Sequence, residues 1–494
     1  MKLKYILGLV LTSTLAVSCS EDTMDRINTD ESHPGVDIVN GKFQITDAEV
    51  ATVYSTLCGS YAWYVSSYTE QLFGTGNNQM KNVEVRDFGE MAASSTFGNE
   101  WNSTYLNLKN LNSIKAKCAD GGVDAGNYDL LGMEETLEAL NWGILTDLHG
   151  DIPCSESFDA TKKAKLDSQK EIYTKIFALL DDAQVNFAKG GKHVTTQDIL
   201  FANDLQKWSG LAHAIKARYL LHTYGVDKSV LSNVLKEAQA AISAGFDGAN
   251  LDIFNGKTAD NAWSAYHWSR SYIGSSKTVD DLLVERADPR EALYNTNGFG
   301  AETPVVGQPG NSEQAMMTET VNYPAWLDNG AAYLHLFSKS ELYFIIAEVK
   351  ARLAQDAKAD FETAVTASFN DYYVASGSSV EDSTITNYLK SIETRYADNP
   401  LKEIMVQKYI AQTRDEQLET YNDIRRCRYV DGTYYVALTN PMNTQANVNR
   451  WPLRLPYGES DVVSNPNVSA AFGSGSSAGD YEFTDPIWWG CGKE

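Results

Sequence analysis

The chain has 494 residues, 65 of them acidic against 41 basic, for a formal net charge of −24. So acidic a chain does not seek phosphate backbones or anionic lipid surfaces, which excludes nucleic acid as a partner and leaves solubility as the ordinary reading of the charge. An apolar content of 43% is that of a packed globular protein.

Lys2 and Lys4 precede an apolar stretch from Tyr5 to Val17, and Ser18-Cys19 follow. That stretch is too short to span a bilayer, which needs ~20 apolar residues. It has the proportions of a secretory signal peptide over residues 1–18. A cysteine directly after the small residues predicts lipidation of Cys19, because its thiol would take the diacylglyceryl group. Plain secretion after Ala16-Val17-Ser18 is the alternative. Residues 19–45 are polar and rich in Asp and Asn, broken by Pro34-Gly35, and read as a flexible lipidated tether. The remainder, 46–494, is expected to be one large helical domain with loop-rich insertions.

Helical period dominates that body. Ile172, Ile176, Leu179, Leu180, Ala183 and Phe187 share one face, as do Trp208, Leu211, Ala212, Ile215 and Tyr219. Leu342, Ile345, Ile346, Val349 and Leu353 form a third stripe. Short-turn pairs are predicted at 205–224 with 229–244 and at 339–354 with 358–374. The pairing is weakly TPR-like, though too degenerate to establish by period alone. Between the pairs lie long segments without helical period: 68–98, 247–275, 294–335 and 430–494. Their aromatic content argues for structured loops rather than disorder.

Catalytic motifs are few. Gly475-Ser476-Ser477-Ala478-Gly479 matches a nucleophile elbow in letters, but it lies in a Gly/Ser loop without the strand before and helix after that the elbow needs. The Asp/Gly-rich stretch 120–129 offers oxygen ligands but lacks EF-hand spacing, so a solvated turn is preferred to calcium and no metal or cofactor is expected. Cys58, Cys118, Cys154, Cys427 and Cys491 are widely spaced, with no CxxC, and predict no disulfide framework and room for one incidental bridge. The distinctive chemistry is aromatic. Trp and Tyr faces in loops can stack on the CH faces of sugar rings while Asn and Arg read hydroxyls. The candidate ligand-binding residues on that reading are Trp63, Tyr68, Asn77, Asn78, Arg86, Trp263, Tyr266, Trp268, Tyr323 and Trp326. Each must be weighed against a role in pinning its loop.

The run Trp142-Gly143-Ile144-Leu145-Thr146-Asp147-Leu148-His149-Gly150-Asp151-Ile152-Pro153-Cys154-Ser155-Glu156 resembles the signature of the SusD-like (SusD/RagB) outer-membrane lipoproteins, closest to their starch-binding, outer-membrane-associating branch. Further matches follow in order: Asp288-Pro289-Arg290, Ser340-Glu341-Leu342-Tyr343-Phe344, Gln407-Lys408-Tyr409, Asp423-Ile424-Arg425-Arg426, Arg454-Leu455-Pro456-Tyr457 and Trp488-Trp489. The resemblance implies a mainly α fold of about four TPR-like helix pairs with a loop-built ligand face. It implies a non-enzymatic surface lipoprotein that captures oligosaccharides, or peptides in some members, for a SusC-like TonB-dependent transporter. A surface glycoside hydrolase is the reading from another class. His149, Cys154 and Gly458 depart from the family pattern. Asp147, Asp151 and Arg425 are expected to cap helices or join motifs rather than to touch ligand.

Overall fold

The computed structural model describes residues 39–76, 79–191, 194, 196–439 and 451–491. Cys19, Asn77 and Asn78 lie outside them. The fold is mainly helical, with only short strands. Numbering the α-helices of nine or more residues gives α1 Lys42–Val50, α2 Ser60–Tyr68, α3 Gly98–Cys118, α4 Tyr128–His149, α5 Gln169–Lys189, α6 Leu205–His222, α7 Leu231–Ser243, α8 Ala262–Arg270, α9 Lys277–Glu285, α10 Lys339–Arg352, α11 Lys358–Ala375, α12 Asp382–Asp398, α13 Pro400–Gln412 and α14 Gln417–Val430.

Local chemistry sets these boundaries. The Ser168 hydroxyl and the Glu171 carboxylate form a reciprocal capping box that starts α5. Asn399 caps α13 and Pro400 occupies its first turn, so α12 and α13 meet across a single residue. The stripes read from the sequence are the buried faces of α5, α6 and α10, except that Leu353 falls just past the end of α10 and is half-buried. The pairs α6/α7 and α10/α11 pack as expected, joined by α3/α4 and α12/α13.

α4 is the centre of the core. Apart from Tyr128 and Leu131 every residue on it is buried. Two glycines allow this: a Cβ on Gly143 would sit 2.1 Å from the Tyr219 ring of α6, and one on Gly132 would sit 2.6 Å from Phe187 of α5. A charged side chain on so enclosed a helix needs partners. Burial alone would raise the Glu138 carboxyl, but Lys175 and Lys115, at 2.8 and 2.7 Å, hold it down to about 2.

The signature motifs knit the scaffold together. Asp147 accepts hydrogen bonds from Tyr173 Oη at 2.6 Å and Trp489 Nε1 at 2.8 Å, and lies 3.0 Å from His222 Nδ1. Asp151 accepts from the backbone of Gln169 at 2.9 Å, beside the start of α5. Arg425 donates to the carbonyls of Asp147 (2.7 Å) and Leu453 (3.1 Å). The departures from the family pattern are also packed inside. His149 lies between Tyr61, Trp101 and Tyr457, and a Cβ on Gly458 would come within 2.3 Å of the Trp101 ring.

Two expectations change, the end of the tether and the incidental bridge. The stretch read as tether ends earlier than residue 45, because α1 begins at Lys42 and Ile45 is buried. Asp124, in the Asp/Gly-rich turn, is tied up at that junction, accepting from Asn40 Nδ2 at 2.8 Å and from the Gly41 backbone at 2.5 Å. The five described cysteines are all free, so the incidental bridge is absent among the described residues. At the elbow-like motif, Gly475–Ser477 is a single 3₁₀ turn that follows the helix Pro466–Phe472, with no strand before it.

Candidate functional site

Three of the long loop segments converge through main-chain pairing. Leu72–Gly74 runs antiparallel to Ile273–Ser275, with Phe73 opposite Gly274. Single bridges link Ser276 to Gly307, Thr296 to Tyr323 and Val305 to Val321. Close approach fixes the glycines here: a Cβ on Gly307 would fall 2.1 Å from the Phe73 ring. Stretches 68–98, 262–275 and 294–323 are thereby joined into one layered face.

α8 aims aromatics at that face. The Asn261 side chain caps its start by accepting from Ser264 N at 3.0 Å. Ser271, in the left-handed region at φ 57°, ends the helix and turns the chain into the ribbon. Tyr266 then lies flat on Trp63 of α2, with centroids 3.8 Å apart and planes 8° apart, and Tyr272 stands 5.5 Å from Tyr266. All three rings are half-buried, so each keeps some exposed surface. Trp63 Nε1 finds no acceptor among the described residues. Close by, Thr75 N donates to the Tyr272 carbonyl at 2.9 Å, and Tyr64 Oη donates to Gln79 Oε1 at 2.6 Å. The result is an aromatic platform suited to the apolar face of a flat ring.

The structure brings only some of the candidate residues together. Trp63 and Tyr266 share the platform. Trp268 is 51% exposed but packs edge-on against Phe299 at 5.7 Å. Residues two apart on a helix point away from each other, so Trp268 belongs to a separate surface. Tyr68, Arg86, Trp263, Tyr323 and Trp326 are buried and offer no face to a ligand. Arg86 donates to the Ser67 carbonyl at 3.1 Å and lies 5.1 Å over the Tyr68 ring. Tyr323 donates to Asp328 at 3.1 Å, and Trp326 packs 5.0 Å from Tyr372. These side chains hold the loops in place. Tyr272 was missed because its role depends on the ribbon pairing and on Ser271, neither of which leaves a local sequence signal.

A cavity of about 650 Å³ lies elsewhere, between α11 and the strand pair Ala249–Leu251 with Leu334–Phe337, lined in part by Tyr333, His335 and Asp371. Some of its polar groups pair with each other: Tyr333 Oη donates to Asp371 at 2.7 Å, and His335 Nε2 lies 3.0 Å from the same carboxylate. Among the described residues no group of three or more His, Cys, Asp or Glu side chains could hold a metal ion. No helix among them is long and apolar enough to cross a membrane.

Comparison with known proteins agrees with this architecture. A SusD/RagB-family protein from Bacteroides thetaiotaomicron superposes with a TM-score of 0.81 at 33% identity, covering 92% of this chain and 100% of that one. A SusD homologue from Bacteroides fragilis gives 0.70 at 17% identity, covering 92% and 100%. A chitin-binding SusD homologue from Flavobacterium johnsoniae gives 0.68 at 18% identity, covering 91% and 99%. No curated protein matches the chain. The SusD-like family described as starch-binding and associating with the outer membrane matches residues 52–458, and the chain belongs to that family.

Proposed function

We propose that the protein is a surface lipoprotein, anchored through Cys19 to the outer face of the outer membrane, that binds oligosaccharides and delivers them to a SusC-like TonB-dependent transporter. The observation that carries this reading is the Trp63–Tyr266 stack with Tyr272 beside it, exposed ring surface on a loop-built face. Family membership supports the surface role, and the chitin-binding homologue supports a glycan cargo.

Isothermal titration against oligosaccharides and peptides tests the reading. Oligosaccharide binding that is weakened in Trp63→Ala is expected. Binding of peptides alone would replace the cargo class, and release of shortened products from a bound glycan would replace capture by hydrolysis.

A further inference from the structure

Most buried guanidinium groups in this chain grip a carboxylate. Arg218 meets Glu341 at 2.5 Å, Arg290 meets Asp288 at 2.6 Å, and Arg426 meets Glu348 at 2.6 Å. Arg425 and Arg428, on one face of the last turns of α14, do not. Arg425 spends its donors on neutral oxygens: the carbonyls of Tyr421, Asp147 and Leu453 and the Asn422 side chain. Arg428 makes no hydrogen bond or ion pair among the described residues, and its guanidinium lies 4.4 Å over the Trp451 ring. Glu70 acts on Arg428 through space, as Asp147 and Glu419 do on Arg425, but among the described residues neither arginine forms an ion pair, a departure in a chain with a formal charge of −24.

Both arginines line a pocket of about 270 Å³, closed by Tyr429, Trp451, Leu453, Pro486, Ile487 and Gly490. Tyr429, 42% exposed, stands at its rim. The nearest acid in sequence to the Pro486-Ile487 wall, Asp485, faces Arg454 at 3.6 Å instead. The carbonyl end of α14 offsets part of the Arg428 charge, yet the guanidinium does not donate to those carbonyls. Stacking on Trp451 holds its planar fork rigid with every N–H unspent. Burial pushes both guanidinium groups below their ordinary range, whereas the carboxylates facing Arg218 and Arg290 outweigh burial and raise theirs.

We infer that this pocket binds a compact carboxylate-bearing ligand of about one ring, its anion held by Arg428 over the second positive charge of Arg425 and its body against Leu453, Pro486 and Ile487. The volume lies just below the range of larger ligand sites, which suits a single ring. A planar carboxylate matches the guanidinium fork in two parallel hydrogen bonds. A free sugar acid and the uronic residue of an oligosaccharide share this chemistry. The site uses none of the platform residues, so it stands or falls independently of the function proposed above.

The test is titration of the full soluble domain with sodium glucuronate, glucose, trigalacturonate and sulfate. Glucuronate is expected to bind at least tenfold more tightly than glucose, its neutral counterpart. Trigalacturonate binding more tightly than glucuronate would assign the site to acidic oligosaccharides, and the reverse to free acids; either supports the inference. Arg428→Gln should lose at least tenfold in glucuronate affinity with only a small fall in its melting midpoint, since the stack on Trp451 is the one contact of its guanidinium among the described residues. Trp63→Ala should leave glucuronate affinity as it is. Equal binding of glucuronate and glucose, or no loss in Arg428→Gln, would overturn the inference. Sulfate binding as tightly as glucuronate would reduce the pocket to an adventitious ion only. The wild-type comparison of glucuronate with glucose decides the matter even if the variant does not fold.

Discussion

Around α10, α13 and α14 the chain is held by charge. Glu348 receives Arg426 at 2.6 Å and Arg352 at 2.7 Å, and Asp423 faces Lys408 at 2.7 Å. Burial opposes the ionised Glu348, but these cations keep its carboxyl far below the usual range. Where α2 meets α8 the chain is held by rings, with Trp63 on Tyr266 and the indole N–H unspent. The two chemistries tolerate change differently. A buried ion pair demands one geometry and one partner, so removing half of it leaves a stranded charge. An aromatic stack accepts many ring types and offsets. Helix positions are therefore fixed tightly, while the loop face can be re-lined for different cargo on the same frame.

The largest effect should come from breaking the charged region. Arg290 and Asp288 are fully buried against each other, with Ser368 and Gln407 as further partners. Arg290→Met should cost about 3–5 kcal/mol by stranding Asp288, read as a fall in the guanidinium chloride midpoint. Adding Asp288→Asn should recover much of it. If Arg290→Met alone is neutral, the contrast between the regions fails.

Trp263→Ala probes the buried layer beneath the loop face. Trp263 is 1% exposed, and its removal should cost about 3–5 kcal/mol of stability while glycan affinity of the folded protein holds. Lost affinity at unchanged stability would move Trp263 into the ligand site.

Stability should also vary with pH, because buried histidines pull in opposite directions. Burial would lower His222, but Glu419 and Asp147, at 2.9 and 3.0 Å, raise it to about 9. Its contribution is complete below the unfolded value near 6.5 and fades as pH rises to about 9, on the order of 3 kcal/mol. Burial among the aromatics lowers His149 to about 3, so its contribution is complete above ~6.5 and fades as pH falls. Stability should therefore peak near neutral pH, and His222→Gln should reduce the alkaline limb alone; His335, which burial would lower but Asp371 and Asp415 raise to about 9, keeps the remainder. An unchanged alkaline limb in that variant would remove His222 as its cause.

The smallest effect is at the surface. Trp63→Ala should weaken oligosaccharide binding by ~1–3 kcal/mol, with a smaller shift in melting midpoint than Trp263→Ala. The opposite pattern would make Trp63 a loop pin.

The same contrast explains what could be read from the chain alone. The stripe from Ile172 to Phe187 and the pairs around α6 and α10 follow from helical period, and Asp147, Asp151 and Arg425 do join motifs as their residue types suggested. α8 was hidden inside a stretch read as loop, because nine residues are too few for the period to emerge. The candidate ligand face was half legible. Trp63 and Tyr266 were named, but nothing local told them from Trp263 or Trp326, which bury the same kind of ring. Their difference arises from strand pairing between distant segments.

The Trp63–Tyr266 stack ties α2 to α8, and the ribbon Leu72–Gly74 with Ile273–Ser275 lies just beyond each helix. The rings thus act as a clasp on a thin, two-stranded seam. A sugar laid on them would add its weight to the clasp, so occupancy and the opening of that seam are thermodynamically linked. Oligosaccharide should therefore slow amide hydrogen exchange along the ribbon, so that on the proposed reading the capturing surface is also the one that binding makes rigid.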